Sequence, residues 1–339
     1  ISNTPEDAVL IASLTSKNNI IQSVDGFPAL LSDPWLNARL TTLHACSDIW
    51  STGATVISAQ PIITLPNVSE SLQTSLLSQV LGGIKSVLDP QNANIIGGHT
   101  LESRNIFSHS ISMGIDISLS VNGLIPPNQK AWKKSGLQAK DVLLISRPLG
   151  SGVLFAASMR RRVDPVYVDV VINKLNTSQH VLLETLFKKQ EEQSHLNPIV
   201  HACTDITGFG LLGHLNEMLK SSNNLRIKNG LRPLKIRLQA EKIPAYLGVL
   251  ELFSKGYSST FAPSNRRFWD LFQSKGESMA TFEWDSDYMT LNGSQFQQVM
   301  ELIADPQTCG PLVLACAPDI SEQLVNNGPW TKIGLVEAV

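Results

Sequence analysis

A chain of 339 residues that is 42% hydrophobic and 17% charged has the make-up of a folded globular protein, and it is longer than one compact core usually runs. Its formal net charge is −2, and no Lys/Arg block stands out beyond Met159–Arg162, so there is no electrostatic footprint for nucleic acid. The longest apolar runs fall far short of a membrane span and no signal peptide is visible, so a membrane is not an expected partner either.

The first part of the chain alternates strand-like and helix-like patterns. "DAVLIASL" (7–14) and "NIIQSVDGF" (19–27) read as strands rich in branched residues. A helix is predicted after them, with Asp33 at its cap, Pro34 at its first position and Leu36, Leu40 and Leu43 on its buried face. "ATVISAQPIITLP" (54–66) returns to a strand. A long helix follows over 71–90, with Leu72, Leu76, Val80, Ile84 and Val87 on one side. Beyond "NANIIGGHT" (92–100) comes another alternating stretch, "FSHSISMGIDISLSV" (107–121). The β-α-β-α-β-β order predicts an α/β or α+β layer architecture.

A loop rich in Pro, Asn and Lys spans 125–141 and marks a domain boundary, giving domains of 1–130 and 131–339. The second half opens on the strand "DVLLISRPLGSG" (141–152), carries "TDITGFGLLGHL" (204–215) in its middle, and ends with a turn and strand in "DPQTCGPLVLACA" (305–317). Residues 220–300 are more polar and give no clear pattern. The long strands of the first domain would leave open edges in isolation, which predicts a two-fold homodimer through that domain. Cys46, Cys203, Cys309 and Cys316 include no C-x-x-C pair, and their gaps suit neither a zinc site nor a disulfide framework. Reduced, packed thiols are expected, as in a cytoplasmic protein.

Four acids stand beside small residues where elements end: Asp7, Asp25, Asp48 and Asp205. Taken singly, each reads as a cap or turn residue, because aspartate bonds nearby backbone amides. Convergent carboxylates would instead repel one another unless cations sat among them, and hard oxygen ligands suit Mg²⁺ bound to phosphate. Gly208 and Gly210 lie at the mouth of the helix marked by Leu211, Leu212, Leu215, Met218 and Leu219, where free amides and the helix dipole favour an anion. Gly97 and Gly98 follow a strand, where backbone can approach a ligand closely. Neither segment matches the P-loop or G-x-G-x-x-G patterns, and each glycine pair is equally accounted for by a tight turn. His44, His99, His201 and His214 accompany these motifs, with His99 the stronger candidate for ligand contact. No nucleophile elbow and no H-E-x-x-H occurs.

The segments 24–54, "IIGGHT", "RPLGSGVL", "TDITGFGLLGHLNEM" and "DPQTCGPLVLA", in that order and spacing, resemble the selenophosphate synthetase (selenide, water dikinase) family of the aminoimidazole ribonucleotide synthetase superfamily. The resemblance covers nearly the whole chain. It implies a two-domain α/β fold whose N-terminal sheets build a barrel across a dimer. It also implies use of ATP and Mg²⁺, with K⁺ as a further cofactor candidate, to convert selenide and water to selenophosphate, AMP and orthophosphate. Carried over by position, Asp7, Asp48 and Asp205 match the magnesium-binding acids, with Asp48 also near the nucleotide. Asp25 matches the acid that meets nucleotide phosphate and metal. Thr4, Pro5 and Glu6 match one nucleotide-contacting turn, and Gly98, His99 and Thr100 a second.

The sequence departs from the family at several points. The family's reactive Cys (or selenocysteine) and a nearby Lys precede the stretch that matches "TPEDAVLI", so no catalytic nucleophile is assigned, and a chain fused behind a flavin-dependent oxidoreductase is one expectation. "TCGP" replaces "TSGG", where Pro311 removes an amide donor, and "SDIWSTGA" and "GYSSTFAPSNRR" also deviate. Two other readings stand beside the selenide kinase: a sister ATP-using enzyme of the same superfamily, and a non-catalytic dimeric nucleotide-binding paralogue.

Overall fold

The computed structural model describes residues 6–15, 18–103, 114–127, 129–192, 198–273 and 281–339. They form two compact units, one of Asp7–Ala131 with Leu175–Leu183, the other of Ile1–Glu6, Trp132–Lys174 and Glu184–Val339. They are called here the N-terminal and C-terminal units.

The N-terminal unit runs β1 (Val9–Thr15), β2 (Asn18–Phe27), α1 (Pro34–Ser51), β3 (Thr55–Leu65), α2 (Glu70–Leu88), β4 (Asn94–Ile95), β5 (His99–Glu102) and β6 (Asp116–Ile125). The start of α1 follows from its sequence. Pro34 supplies a pre-set φ at a position that needs no amide, and the Asp33 carboxylate accepts from the Leu36 amide at 2.7 Å. The strands form one mixed sheet in the order β1-β2-β6-β3-β4, with β5 also paired to β3. β2, β6 and β3 are antiparallel, whereas β4 and β5 run parallel to β3, the arrangement left when α2 carries the chain back across the sheet.

Period-two alternation decides which face is covered. Ile117, Leu119 and Val121 of β6 are buried on the side where α1 packs, and Leu40, Leu43, Ile49 and Trp50 of α1 fill that core. Leu76, Val80, Ile84 and Val87 of α2 are buried, as the sequence predicts, but Leu72 in its first turn is exposed. The opposite face carries Gln22, Val24, Ser58, Gln60, Ile62, Ser118, Ser120 and Asn122. The Gln22 amide donates to Ser120 Oγ and Asn122 Oδ1, both at 3.0 Å. This face has no charged residue among those eight, and Val24 and Ile62 are 68% and 49% exposed. Of the predicted strand over 107–121, residues 107–113 lie outside the described residues.

The C-terminal unit contains β7 (Val142–Ile145), α3 (Ser151–Met159), α4 (Pro165–Leu175, whose last residue belongs to the other unit), α5 (His180–Glu192, shared likewise), β8 (Ala202–Asp205), α6 (Gly210–Lys228), β9 (Leu234–Leu238), α7 (Val249–Ser254), α8 (Ala262–Asn265), β10 (Phe282–Trp284), α9 (Gly293–Ala304), β11 (Leu312–Cys316), α10 (Pro318–Asn327) and β12 (Thr331–Ala338). Its strands form a second sheet in the order β10-β9-β12-β7-β11-β8. The central strands β7 and β11 are apolar along their whole length and fully buried, because they are covered on both faces. The polar stretch 220–300 resolves into the end of α6, β9, short helices and the edge strand β10. No helix among the described residues is long and apolar enough to cross a membrane.

Candidate active site

In the N-terminal unit, α1 delivers Asp48 and Ser51 one turn apart while β2 presents Ser23. Ser51 Oγ donates to Asp7 Oδ2 at 3.0 Å and also lies 2.8 Å from the Asp48 carbonyl. Ser23 Oγ bonds Asp48 Oδ2 and lies 3.3 Å from the Asp7 carbonyl. Each hydroxyl has a single proton, so it serves these acceptors in turn or shares it. The Asp7 and Asp48 carboxylates are thus each held by a serine hydroxyl, and the ligand atoms they offer are oxygens. That set suits a hard divalent cation and would be poor for a soft one. Neither serine stands out in the sequence, since each meets these carboxylates only once β2 and α1 are packed together. Burial pushes the nearby Cys46 thiol up, with the Asp48 charge adding to the effect, so it stays a neutral packing group.

Asp25, on β2, accepts from the Gly26 amide at 2.6 Å and has its other oxygen 3.3 Å from His44 Nε2. Burial lowers the His44 imidazole and the Asp25 charge raises it, with burial the larger effect. The "IIGGHT" glycines have φ of 156° and 152°, and a Cβ on Gly98 would lie 2.5 Å from the Pro61 carbonyl. Glycine is therefore required where the chain runs close past Pro61 of β3 between β4 and β5. His99 and Thr100 follow on β5 and are exposed. Thr4 and Pro5 lie outside the described residues.

In the C-terminal unit, Asp205 is the last residue of β8, paired with Leu312 of β11, and is 1% exposed. The turn after it is clamped from two sides. The Ile206 amide donates to the Pro311 carbonyl at 2.9 Å, and the Gln307 amide to the Thr207 carbonyl at 2.9 Å. A Cβ on Gly310 would stand 1.6 Å from the Ile206 carbonyl, so the "TCGP" segment needs glycine there for close approach. On the other side, His214 Nε2 accepts from the Thr207 amide at 3.1 Å. That bond leaves the imidazole proton on Nδ1, 3.6 Å from Glu217 Oε2. Burial drives His214 down to about 4, which keeps it neutral and able to accept. Glu217 also meets Lys134 Nζ at 2.9 Å, and the Lys134 amide donates to Glu6 Oε2 at 2.8 Å. Glu6 is thereby tied to the loop that opens this unit.

Gly210 has φ of 68°, and it begins α6 as the sequence predicts, while Gly208 has open space around its Cα. Asn265, in the deviating "PSNRR" segment, donates to the carbonyls of Gly208 and Ala304, both at 2.9 Å. It thereby fixes the turn from a distant part of the chain. The "DPQT" residues have a capping role that sequence alone does not reveal. Gln307 Oε1 accepts from the amides of Gly150 and Ser151 at 2.9 and 3.2 Å, and Asp305 Oδ2 from that of Val153 at 3.1 Å, which satisfies the first turn of α3.

This pairing of a helix-backed mixed sheet carrying Asp7 and Asp48 with a second α/β unit carrying Asp205 matches a known family. The model for AIR synthase related protein, N-terminal domain, covers residues 5–125, and that for the C-terminal domain covers 139–326. The chain belongs to the AIR synthase related protein family. Among curated relatives it is 28% identical over 306 residues to selenide, water dikinase of Pelobacter propionicus, covering 90% of this chain and 74% of that protein. It is 28% identical over 329 residues to selenide, water dikinase of Paraburkholderia xenovorans, covering 96% and 78%. Solved structures share the fold at lower identity. The thiamine-monophosphate kinase of Stenotrophomonas maltophilia superposes with a TM-score of 0.62 at 15% identity, covering 98% of this chain and 89% of that one. The hydrogenase maturation protein HypE in complex with ATP gives 0.61 at 16%, covering 97% and 79%.

Proposed function

We propose that the protein phosphorylates selenide at the expense of ATP, forming selenophosphate and releasing AMP and orthophosphate. The observation that carries this reading is the agreement of relatives: proteins named selenide, water dikinase match 90% or more of the chain at 24–28% identity. Asp7, Asp48 and Asp205 are the ligands of Mg²⁺ in this reading, Asp25 stands at the nucleotide phosphates, and Thr4, Pro5, Glu6, Gly98, His99 and Thr100 contact the nucleotide. The oxygen-only surroundings of Asp7 and Asp48, with Ser23 and Ser51 holding the carboxylates, favour a hard cation over a soft one. When bound, Mg²⁺ neutralises the phosphate chain and stabilises charge on the leaving oxygen.

What the chain's own residues contribute is placement. Phosphoryl transfer asks mainly for alignment and charge neutralisation, with little covalent help from the protein. Ser51 and Ser23 orient the two carboxylates, and the neutral His214 fixes the turn that follows Asp205 by accepting from Thr207. The clamp from Gln307 and Pro311 restrains the same turn from the other side, so a bound anion finds its donors already in place.

The middle of the open face of the N-terminal sheet is the dimer surface in this reading, with Val24 and Ile62 exposed on it and a barrel closed by the sheet of a second copy. The structural neighbours named for thiamine-monophosphate kinase and HypE make a sister ATP-using activity the second reading. Chromatography of nucleotides after incubation with Mg²⁺–ATP separates the two. Selenide-dependent AMP release, with none elicited by thiamine monophosphate, supports the first; nucleotide turnover only with thiamine monophosphate would replace it by the second.

A further inference from the structure

Beside α10, the second sheet leaves a cavity that the phosphoryl chemistry above does not use. Its volume is about 500 Å³ and its lining lies wholly within the C-terminal unit. One side is a stripe of α10. Pro318, Glu322 and Val325, spaced i, i+4 and i+7 so that they share a helix face, line the cavity, while Ile320 and Leu324 are turned into the core. The sheet supplies another side. Lys332 of β12 pairs with Leu144, and Val142 stands two residues from Leu144, so Lys332 and Val142 project to the same face. The turn Ala240–Lys242 follows β9 and adds Lys242. The Gln239 amide, donating to the Ile333 carbonyl at 2.8 Å, fastens the start of that turn to β12.

The lining holds donors that the protein itself leaves unused. Among the described residues, the Lys242 and Lys332 ammonium groups and the Trp330 indole N–H have no hydrogen-bond or ion-pair partner. Trp330 is only 5% exposed, and an indole buried to that extent normally finds an acceptor. Gly328 keeps the edge of the ring that bears this N–H clear, since a Cβ there would stand 3.1 Å from Cδ1 and 3.6 Å from Nε1. Glu322 is the single acid of the lining, and among the described residues it pairs with neither lysine. Lone surface lysines are simply solvated. These two share one concavity with a buried, unpartnered donor, and that combination calls for a ligand with several acceptor oxygens.

We propose that this cavity is a second binding site, for a small phosphate monoester, distinct from the site of Asp205 and independent of the reaction assigned above. Two ammonium groups are compact point charges suited to a phosphate dianion, and the indole N–H adds a directional donor to one of its oxygens. Val142, Val325 and Pro318 offer apolar surface to the esterified organic part, and the volume falls within the roughly 300–1,000 Å³ usual for small-molecule sites. Glu322 accepts from a hydroxyl of that organic part and at the same time repels the phosphate. The separation from the metal acid follows from the sheet order. β12 lies three strands from β8, which carries Asp205, or about 14 Å across the sheet at roughly 4.8 Å per strand.

Equilibrium dialysis of the whole chain against radiolabelled ribose 5-phosphate, AMP and inorganic phosphate tests this, with a chelator present so that no metal bridges phosphate to the acids. The wild type is expected to retain the esters. Lys242→Gln and Lys332→Gln should each weaken retention roughly five- to twentyfold, and Trp330→Phe about threefold. Glu322→Gln keeps an acceptor but removes the repelling charge, so it should tighten binding by a few-fold, a gain that no folding defect can imitate. Retention of both esters would identify the phosphate head as the part recognised, and retention of AMP alone would identify a nucleotide; either supports the site when the lysine variants lose it. The site is overturned if the wild type retains no ester at millimolar concentration, if the lysine variants bind as the wild type does, or if Glu322→Gln binds more weakly. Inorganic phosphate held as tightly as the esters overturns it too, because the apolar wall would then contribute nothing. The assay contains neither selenide nor free metal, so its failure leaves the selenide-kinase reading untouched.

Discussion

Asp305→Asn is expected to flatten the pH dependence of the C-terminal unit's stability. The Asp305 side chain is fully buried, and its Oδ2 accepts from the Val153 amide and from Gln307 Nε2, both at 3.1 Å. Burial raises its carboxyl from the ordinary value of 3.8 to about 7, with the bond from Val153 the largest effect in the opposite direction. Between those two values the folded chain holds a proton that the unfolded chain has released. The stability linked to that proton is complete below the unfolded value and is lost as pH rises through about 7. At roughly 1.4 kcal/mol per unit, the loss is at most about 4 kcal/mol. For a unit of this size that corresponds to a fall of about 8–16 °C in its melting midpoint. Asparagine keeps the shape and an acceptor but has no proton to lose. Scanning calorimetry from about pH 4 to about pH 8.5 should show the decline in the wild type and a nearly level midpoint in the variant, which is the more stable of the two at the alkaline end. Equal slopes in the two proteins would refute the reasoning, because they would place the pH dependence elsewhere.

Asp7→Asn, Asp48→Asn and Asp205→Asn should each weaken Mg²⁺–ATP binding by about 1–3 kcal/mol in titration calorimetry, and a chelator should abolish the thermal shift that ATP produces in the wild type. If all three bind as the wild type does, the acids do not share a metal. Ser51→Ala should show a smaller loss of about 0.5–1.5 kcal/mol in the same assay, since it orients Asp7 without carrying charge. Ile62→Glu places a charge in the middle of the open sheet face; the proposed dimer predicts a dimeric wild type and a monomeric variant in sedimentation velocity at micromolar concentration, and a monomeric wild type or equal sedimentation coefficients would refute that face as a dimer surface.

Where short-range rules govern, the sequence was informative. Asp33 and Pro34 announce the start of α1, branched residues announce β2 and β3, and Gly210 announces the mouth of α6, each through its own backbone chemistry. The acids Asp7, Asp48 and Asp205 stood out because aspartate near small residues at element ends is recognisable in one dimension. What escaped notice depends on partners far away in the chain. Ser23 and Ser51 gain their meaning from packing β2 on α1, and Asn265 from reaching Gly208 across 57 residues. Asp305 and Gln307 read as a turn, but they cap a helix that begins at Ser151. Cys309 read as a packing thiol; its positive φ appears only in three dimensions. Leu72 was misplaced because the apolar stripe of α2 begins one turn later than its periodicity suggests.

Phosphorus NMR of the protein incubated anaerobically with Mg²⁺, ATP and selenide tests the central claim most directly. A selenophosphate resonance growing in step with AMP and orthophosphate, and absent when selenide or Mg²⁺ is withheld, is the predicted result. ATP consumed without any selenophosphate, or with ADP as the nucleotide product whether or not selenide is present, would contradict it.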